Sequence, residues 1–268
     1  MIAETQMPAA LRAIAEDELA LYHAGRSITA YNTIPDTALI PIQNRRLWFK
    51  VPDVVCVFVD MKGSTQLSAS KHDRGTAGAY QLFTEAAVRI FNAFDPPYID
   101  VRGDGVFALF DQYQVYRAFA AAISFKTYAA EVFAPTLREQ TSLDVGAHIG
   151  IDQKTVLVRK VGMKQRDGHT DRQNEVWAGK PVNMASKLAA MAAADRLLVS
   201  DRYYARIGHP LVRRSCGCPD GEKRELWAEI NVADDPKFDF DTAYELSSSW
   251  CRTHGAAYCE TIQGLDRK

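Results

Sequence analysis

The chain has 268 residues, of which 47% are hydrophobic and 24% are charged, and its formal net charge is -1. This composition supplies a sizeable core and excludes a mainly disordered chain, and the near-neutral charge excludes a bulk basic field for nucleic acid or an anionic membrane. The sequence has no apolar stretch near the ~20 residues of a membrane span, and its acidic, amphipathic start is unlike a signal peptide. We therefore expect a soluble, cytoplasmic protein.

The first predicted element is a short amphipathic helix. Apolar residues recur at helical spacing from Leu11 to Tyr22, and Gly25 follows as a stop signal. A polar stretch with Pro35 and Pro41 comes next. We interpret residues 1–49 as a helical extension that precedes the main domain.

A buried strand is predicted over Val54–Val59, where six apolar residues run together and end in Asp60. The turn behind it is small and rich in N–H groups, with Gly63, Ser64 and Thr65. Backbone amides at such a turn, before a helix, can bind a phosphate group. The helical pattern that follows ends at Pro96. The strand end therefore has either a structural acid or a ligand site.

The stretch "YIDVRGDGVFALF" predicts a β-hairpin with Asp104 at its tip. In a β-α-β-β unit the first two strands can lie side by side, so Asp60 and Asp104 could face each other. Two close carboxylates repel unless a cation lies between them, and Mg²⁺ and Mn²⁺ prefer oxygen ligands. Taken singly, each acid could equally be an ordinary strand end or hairpin turn.

The rest of the chain predicts further helices and strands in an α+β arrangement. The predicted elements are a helix that ends before Pro135, strands over 142–151 and 154–162, a helix over 182–194, strands over 196–200 and 224–230, a linker over 233–241, and a helical tail from Thr242. We expect a main domain over residues 50–232 and a C-terminal tail over residues 233–268.

Four residues in the last third of the chain could in principle bind zinc: Cys216, Cys218, Cys251 and His254. Their spacing fits no common zinc pattern, and Cys56 lies inside the apolar strand. Reduced free thiols are therefore the favoured interpretation, with zinc as the alternative.

Four motifs, taken together, resemble the catalytic domain of class III nucleotidyl cyclases, the adenylate and guanylate cyclase family. They are "FVDMKGST", "RGDGVFALF", "GAHIGI" and "VWAGKPVNMASKL", and they occur in the family's order between Val54 and Ile230. The resemblance implies a ferredoxin-like βαββαβ core with extra strands. It also implies a homodimer whose active sites lie at the subunit interface, with two Mg²⁺ or Mn²⁺ ions in each.

The resemblance also implies roles for individual residues. Asp60 and Asp104 match the metal-binding aspartates, and the carbonyl of Met61 joins the coordination. Asn183 matches the residue that orients the ribose. Two lysines complete the implied set. Lys187 stands at the position of a transition-state arginine, and Lys223 matches a ligand of the terminal phosphates.

The departures from the family pattern concern the base and the transition state. Lys187 replaces the usual arginine, and the stretch that contains Pro181 is one residue longer than usual. Asp100 stands where purine-specific members carry a lysine, and Glu175 stands at the position of the partner acid. Asp100 could orient Arg102, on the same strand face, toward the carbonyl groups of a pyrimidine.

The resulting hypothesis is a cyclase that converts a pyrimidine nucleoside triphosphate, UTP first and CTP second, to its 3′,5′-cyclic monophosphate and pyrophosphate. The alternatives are an adenylate cyclase that uses ATP and an inactive nucleotide-binding regulatory module. Free-standing cyclases with altered base residues resemble the pyrimidine cyclases of bacterial antiphage signalling. That resemblance implies a separate effector protein that responds to the cyclic nucleotide.

Overall fold

The computed structural model describes residues 7–70, 73–163 and 172–267. The strands are β1 (Ser27–Ala30), β2 (Leu47–Lys62), β3 (Tyr98–Arg102), β4 (Gly105–Phe110), β5 (Gly146–Met163), β6 (Arg172–Gly179), β7 (Arg196–Ser200), β8 (Trp227–Asn231) and β9 (Thr242–Leu246). The helices are α1 (Ala9–His23), α2 (Ser64–Ser70), α3 (Asp73–Asn92), α4 (Val115–Tyr128), α5 (Ala134–Thr141), α6 (Lys180–Met191), α7 (Asp201–Arg206), α8 (Pro210–Arg213) and α9 (Gly255–Gly264).

The described residues form two compact units. The larger unit comprises Pro52–Val156 and Gly179–Lys268, and the smaller comprises Met1–Val51 and Leu157–Ala178. The boundaries of the predicted extension, main domain and tail stay predictions. None of the helices among the described residues is both long and apolar enough to cross a bilayer.

The larger unit is built on a sheet with the strand order β3-β4-β2-β5-β7-β9-β8. Strands β3, β4 and β2 are antiparallel neighbours, whereas β5 and β7 are parallel. Because successive side chains on a strand point to opposite faces, each buried strand contributes to two layers. Val57 and Val59 face the main core with helices α3 and α4, and Leu198 faces a smaller cluster with α6.

The smaller unit contains α1, β1 and β6. Strand β1 pairs in parallel with the start of β2, and β6 pairs with β5. Arg45 joins α1 through ion pairs with Asp17 and Glu18, and the guanidinium of Arg159 lies 5.7 Å from the ring centroid of Trp48. These contacts tie the helix and the strands of this unit together.

The structure confirms the first helix, the long strand before Asp60, the hairpin and the helix over Asn183. It corrects three elements. Two strands were predicted over 142–151 and 154–162, but residues 142–145 lie outside any strand and the rest of both stretches belongs to the single strand β5. Thr242, predicted to begin a helix, begins strand β9. The helix predicted to end before Pro135 continues, because a π-helical turn over Ala129–Phe133 leads into α5 with the proline in its first turn.

The position of the hairpin also differs from the prediction. Strand β4, not β3, lies next to β2, with Val59 opposite Val106. Strand β3 is therefore the edge strand, and Asp60 still lies beside the hairpin tip because that tip immediately precedes β4.

Candidate active site

Asp60 ends the buried part of β2 on the face of the sheet that α6 also covers. Val57, Val59 and Met61 face the main core, so Phe58 and Asp60 point to the opposite face. Gly105 leaves the space that this acid needs. A Cβ atom built there would lie 3.3 Å from Asp60 Oδ1 and 2.9 Å from Phe58 Cζ. The glycine of the hairpin therefore allows the carboxylate and the hairpin to approach.

Asp104 lies at the hairpin tip and is half-buried. Burial raises the pKa of Asp60, and the negative charge of Asp104 raises it further. The predicted pair is thus brought together in the folded chain. Two carboxylates in this arrangement offer only oxygen donors and an excess of negative charge, which fits a hard divalent cation such as Mg²⁺ or Mn²⁺.

His148 on β5 is a neighbour of Asp60 to which the sequence analysis gave no role. Its charge lowers the pKa of Asp60. Nδ1 of His148 lies 2.6 Å from the carbonyl oxygen of Ala192, at the end of α6, and donates to it. This bond fixes the orientation of the ring. The sequence could have indicated this residue, because His148 lies in the motif "GAHIGI", two positions before Gly150 and on the same strand face.

The turn behind Asp60 has the compact form that its sequence predicts. Met61 is buried at 2% exposure, and Gly63 has a φ of 83°, which favours glycine. Ser64 begins α2, and Thr65 is exposed in its first turn. Their assignment as a phosphate cradle stays a prediction.

Helix α6 carries both Asn183 and Lys187, and it packs directly on β5. A Cβ atom at Gly150 would lie 2.0 Å from the carbonyl oxygen of Ala185, so this close approach requires glycine. Pro181 lies in the first turn of α6, where its missing N–H has no helical partner to lose. The proline of this stretch therefore begins the helix without interrupting it.

Asn183 is exposed on α6, and Lys187 donates from Nζ to the carbonyl oxygen of Lys237 at 2.6 Å. Across the described ranges 7–70, 73–163 and 172–267, no hydrogen bond or ion pair joins either side chain to Asp60 or Asp104. The lysine instead reaches toward the segment between β8 and β9.

The direction of α6 places Asn183 and Asp60 at different ends of the sheet. The C-terminal end of α6 lies at His148, next to Asp60, through Ala192. Asn183 precedes Ala192 by nine residues, which is about 14 Å along a helix. The same order holds for the strands, because Gln153 donates to the carbonyl of Asp53 while His148 neighbours Asp60. Within one chain, the two predicted halves of the site are therefore apart.

A buried ion-pair network, missed by the sequence analysis, lies at the Asn183 end. Asp152 has a fully buried side chain and accepts two hydrogen bonds from Arg202, at 2.7 and 2.5 Å. Arg202 also contacts Asp239, which pairs with Lys180 at 2.6 Å. Desolvation opposes this pairing, but the hydrogen bonds from Arg202 and Lys180 hold the pKa of Asp239 well below its usual range. The network fixes the segment that carries Lys237 against the start of α6.

The predicted base-binding residues fall into two separate contacts. Arg102 pairs with Asp100 at 2.6 Å, with side-chain exposures of 47% and 18%. The acid and the base on β3 are therefore in contact, and their role in reading a base stays a prediction. Glu175 belongs to the smaller unit, where Lys160 lies 3.6 Å from it. Lys160 is the positively charged partner that the sequence analysis did not identify.

Lys223 is exposed in the loop before β8. Four strand spacings separate β2 from β8 in the sheet order, which is roughly 19 Å at about 4.8 Å each. The single chain therefore does not bring Lys223 to Asp60, and its assignment to the terminal phosphates stays a prediction.

Comparison with known proteins identifies the fold and the relatives. No protein-family model matches the chain. A relative from Propioniciclava tarda named uridylate cyclase is 36% identical over 234 residues, which cover 85% of this chain and 74% of the relative. Another uridylate cyclase, from Micromonospora echinofusca, is 34% identical over 239 residues, which cover 87% and 76%.

A solved structure shows the same architecture. The adenylyl cyclase CyaB from P. aeruginosa aligns with a TM-score of 0.59 at 18% sequence identity, over 75% of this chain and 96% of that chain. At this identity the likeness establishes the fold alone. The predicted α+β fold of a class III cyclase catalytic domain is thereby confirmed.

Proposed function

We propose that this chain converts UTP to 3′,5′-cyclic UMP and pyrophosphate. The chain belongs to the family of the uridylate cyclases and is a nucleotide cyclase. The ribose 3′-hydroxyl would attack the α-phosphate in line, and pyrophosphate would leave. The observation that carries the proposal is the neighbouring pair Asp60 and Asp104 in a chain that is 36% identical to a named uridylate cyclase.

Asp60, Asp104 and the backbone carbonyl of Met61 are the proposed ligands of two Mg²⁺ or Mn²⁺ ions. When bound, such ions neutralise phosphate charge and lower the pKa of the attacking hydroxyl. The chain's own contribution is to present ionised carboxylates. Burial and Asp104 disfavour ionisation of Asp60, whereas the neighbouring His148 favours it.

The complete site is proposed to form between two copies of the chain, with the carboxylates from one and Asn183 with Lys187 from the other. The separation of about 14 Å along α6 supports this arrangement, since one chain alone does not unite the two halves. Asn183 would orient the ribose. Lys187 would stabilise the charge that develops on the α-phosphate, after exchanging its bond to the Lys237 carbonyl for one to substrate.

The preference for a pyrimidine rests on Arg102. The guanidinium of Arg102, which forms an ion pair with Asp100, presents several N–H donors, and uracil offers two carbonyl acceptors. Adenine offers no carbonyl oxygen and accepts only through ring nitrogens, so it would match donors placed for two carbonyl groups less well. UTP is therefore proposed first. CTP, with one carbonyl, is the second candidate.

The test is incubation of the full chain with each of the four ribonucleoside triphosphates and Mn²⁺, with products identified by mass. Cyclic UMP as the main product, at the highest kcat/KM, is the expected result. A dominant cyclic CMP would retain the cyclase and change the base. Preference for ATP would make the chain an adenylate cyclase, and absence of turnover with all four would favour an inactive nucleotide-binding module.

The product is proposed to act as a second messenger in antiphage defence, through a separate effector protein. The relatives named uridylate cyclase support cyclic UMP as the product. The resemblance of the sequence to the pyrimidine cyclases of bacterial antiphage signalling supports the role of that product. Measurement of cyclic UMP in cells before and after phage infection tests it. A rise confined to infected cells with intact Asp104 is expected, and an unchanged level during infection would remove the proposed role while leaving the enzymatic activity in place.

A further inference from the structure

The fold brings together four potential zinc ligands that lie in two distant parts of the sequence. Cys216, Cys218, Cys251 and His254 each offer one ligand atom, and these four atoms all lie within 4.8 Å of one another. Thirty-two residues separate Cys218 from Cys251 in the sequence. All four belong to the larger unit, and none of them lies in the proposed catalytic machinery.

We propose that these residues form a structural zinc site with three cysteines and one histidine. Three thiolates and an imidazole are one of the common ligand sets of structural zinc. Thiolates also select a soft or borderline cation over Mg²⁺ or Mn²⁺, which prefer oxygen. The site is therefore chemically distinct from the carboxylate pair Asp60 and Asp104.

The distances fit a tetrahedral ion. Zinc bonds of about 2.3 Å to sulfur and about 2.0 Å to nitrogen place tetrahedral N and S ligand atoms roughly 3.6 Å apart. Nδ1 of His254 lies 3.3 Å from Cys218 Sγ and 3.9 Å from Cys251 Sγ. These values bracket the ideal separation, so one ion could bond all four atoms with small shifts of the side chains.

The immediate backbone also favours a thiolate at Cys251. Backbone N–H groups of His254 and Thr253 donate to its sulfur and, with Cys216, lower the pKa of Cys251 to about 6. Cys218, in contrast, shares a hydrogen bond with Cys216 that raises its pKa to about 11. The thiols are thus in direct contact with one another.

Four protein ligands leave no open coordination position, which is the property of a structural site. The ion would join the loop between α8 and β8 to the segment before α9. Outside this cluster, α9 packs against α4, and the carboxylate of Asp266 accepts hydrogen bonds from the backbone N–H groups of Tyr116 and Arg117. Zinc would thus secure the start of α9, whose end is already held.

The test uses untagged full-length protein, purified without added metal and dialysed against a weak chelator. We expect about one zinc per chain by elemental analysis. Replacement by Co²⁺ should produce the intense charge-transfer absorption of cobalt bonded to several thiolates, which oxygen ligands such as Asp60 do not give. A chain that retains no zinc and yields no cobalt–thiolate absorption would overturn the proposal.

Variants identify the ligands. The double variant Cys216→Ser/Cys251→Ser should lose the zinc, whereas the matched control Cys259→Ser, on the nearby α9, should retain about one per chain. Zinc retained by the double variant would refute the assignment. If that variant does not fold, the cobalt spectrum of the unmodified chain decides. A disulfide between two of the three cysteines in freshly purified protein, found by alkylation and mass analysis, would also overturn the site.

Discussion

Asp60, at the end of β2, lies beside the hairpin tip that carries Asp104, because Val59 pairs with Val106 on the adjacent strand. Burial and the charge of Asp104 both raise the pKa of Asp60. The pair is therefore a source of electrostatic repulsion in the chain without a cation, and it becomes useful when a cation is bound. Stability and activity should respond to its loss in opposite directions.

Asp104→Asn should abolish turnover and slightly stabilise the protein in EDTA. Losing one ligand of the proposed metal site should lower kcat on the order of a thousandfold. Removing the like charge should raise stability by about 0.5 kcal/mol, since the pair is partly solvated, which is about 1–2 °C in Tm. Thermal unfolding in EDTA and turnover with Mn²⁺ are the measurements.

The stabilisation should depend on pH in a defined direction. The folded chain holds the Asp60 proton more tightly than the unfolded chain does, so ionisation of Asp60 costs stability as pH rises through its raised pKa. The stabilisation by Asp104→Asn should be present above the pH range in which Asp60 ionises and absent below it. Equal Tm differences at pH 4 and pH 7 would contradict the electrostatic explanation.

Mixing two inactive variants should restore activity if each site takes residues from two chains. Asp60→Ala and Asn183→Ala should each be inactive alone. A mixed dimer of the two has one site with both residues intact and one site with both removed. Complete exchange should restore up to about a quarter of the unmodified activity, because half of the dimers are mixed and each has one working site. Persistent inactivity, despite subunit exchange shown by native mass spectrometry, would rule out the shared site.

Lys187 should contribute through its positive charge. Lys187→Met should lower kcat by about 10²–10³ with a smaller change in KM, which is typical of an interaction that strengthens in the transition state. Lys187→Arg should keep most of the activity, since arginine retains the charge. Because Lys187 also bonds the Lys237 carbonyl, thermal unfolding of both variants is the control. Equal kcat losses in the two variants would assign the residue a packing role instead.

Arg102 should determine the base. Arg102→Ala should lower kcat/KM for UTP by about 10–100-fold and leave the low value for ATP nearly unchanged, because only the pyrimidine carbonyls lose their donors. Arg89→Ala, at an exposed position on α3, is the matched control and should change neither value. A parallel loss with UTP and ATP would indicate that Asp100 and Arg102 form a structural pair.

Arg202 should be a large contributor to stability. Arg202→Leu leaves the fully buried Asp152 without its partner and should cost about 3–5 kcal/mol, or roughly 6–20 °C in Tm. The control is Arg138→Ala, because that exposed arginine lies 3.9 Å from the exposed Asp144, and its loss should cost less than about 1 kcal/mol. Similar small losses in both variants would mean that Asp152 is solvated or protonated.

Local sequence patterns predicted the helices and strands in which apolar residues form a continuous run or recur at helical spacing. The run Val54–Val59, the hairpin around Asp104 and the helix over Asn183 are of this kind. The continuity of β5 could not be predicted in the same way, because Asp152 and Gln153 read as a polar break. Both are buried within a strand, where Arg202 pairs with Asp152 and the carbonyl of Asp53 accepts from the amide nitrogen of Gln153, and those partners are distant in sequence.

Pairings between distant segments explain the remaining differences. Residues Thr242–Leu246 form a strand because β7 and β8 flank them, and a five-residue segment after a polar stretch gave little local sign of that position. The cysteine cluster likewise needs the fold to bring Cys216 and Cys251 together. The sequence spacing alone favoured free thiols. Common zinc patterns place two pairs of ligands close together in the sequence, whereas here the two pairs lie far apart.

The positions of Asp60 and Asn183 near opposite ends of α6 affect how activity depends on protein concentration. If a working site requires the Asp60 end of one chain and the Asn183 end of another, dilute protein below its dimer dissociation constant turns over at a rate proportional to the square of its concentration. Halving the amount of protein then cuts the output about fourfold. Expression level would become a threshold, and a few stray copies in a resting cell would make almost no cyclic nucleotide.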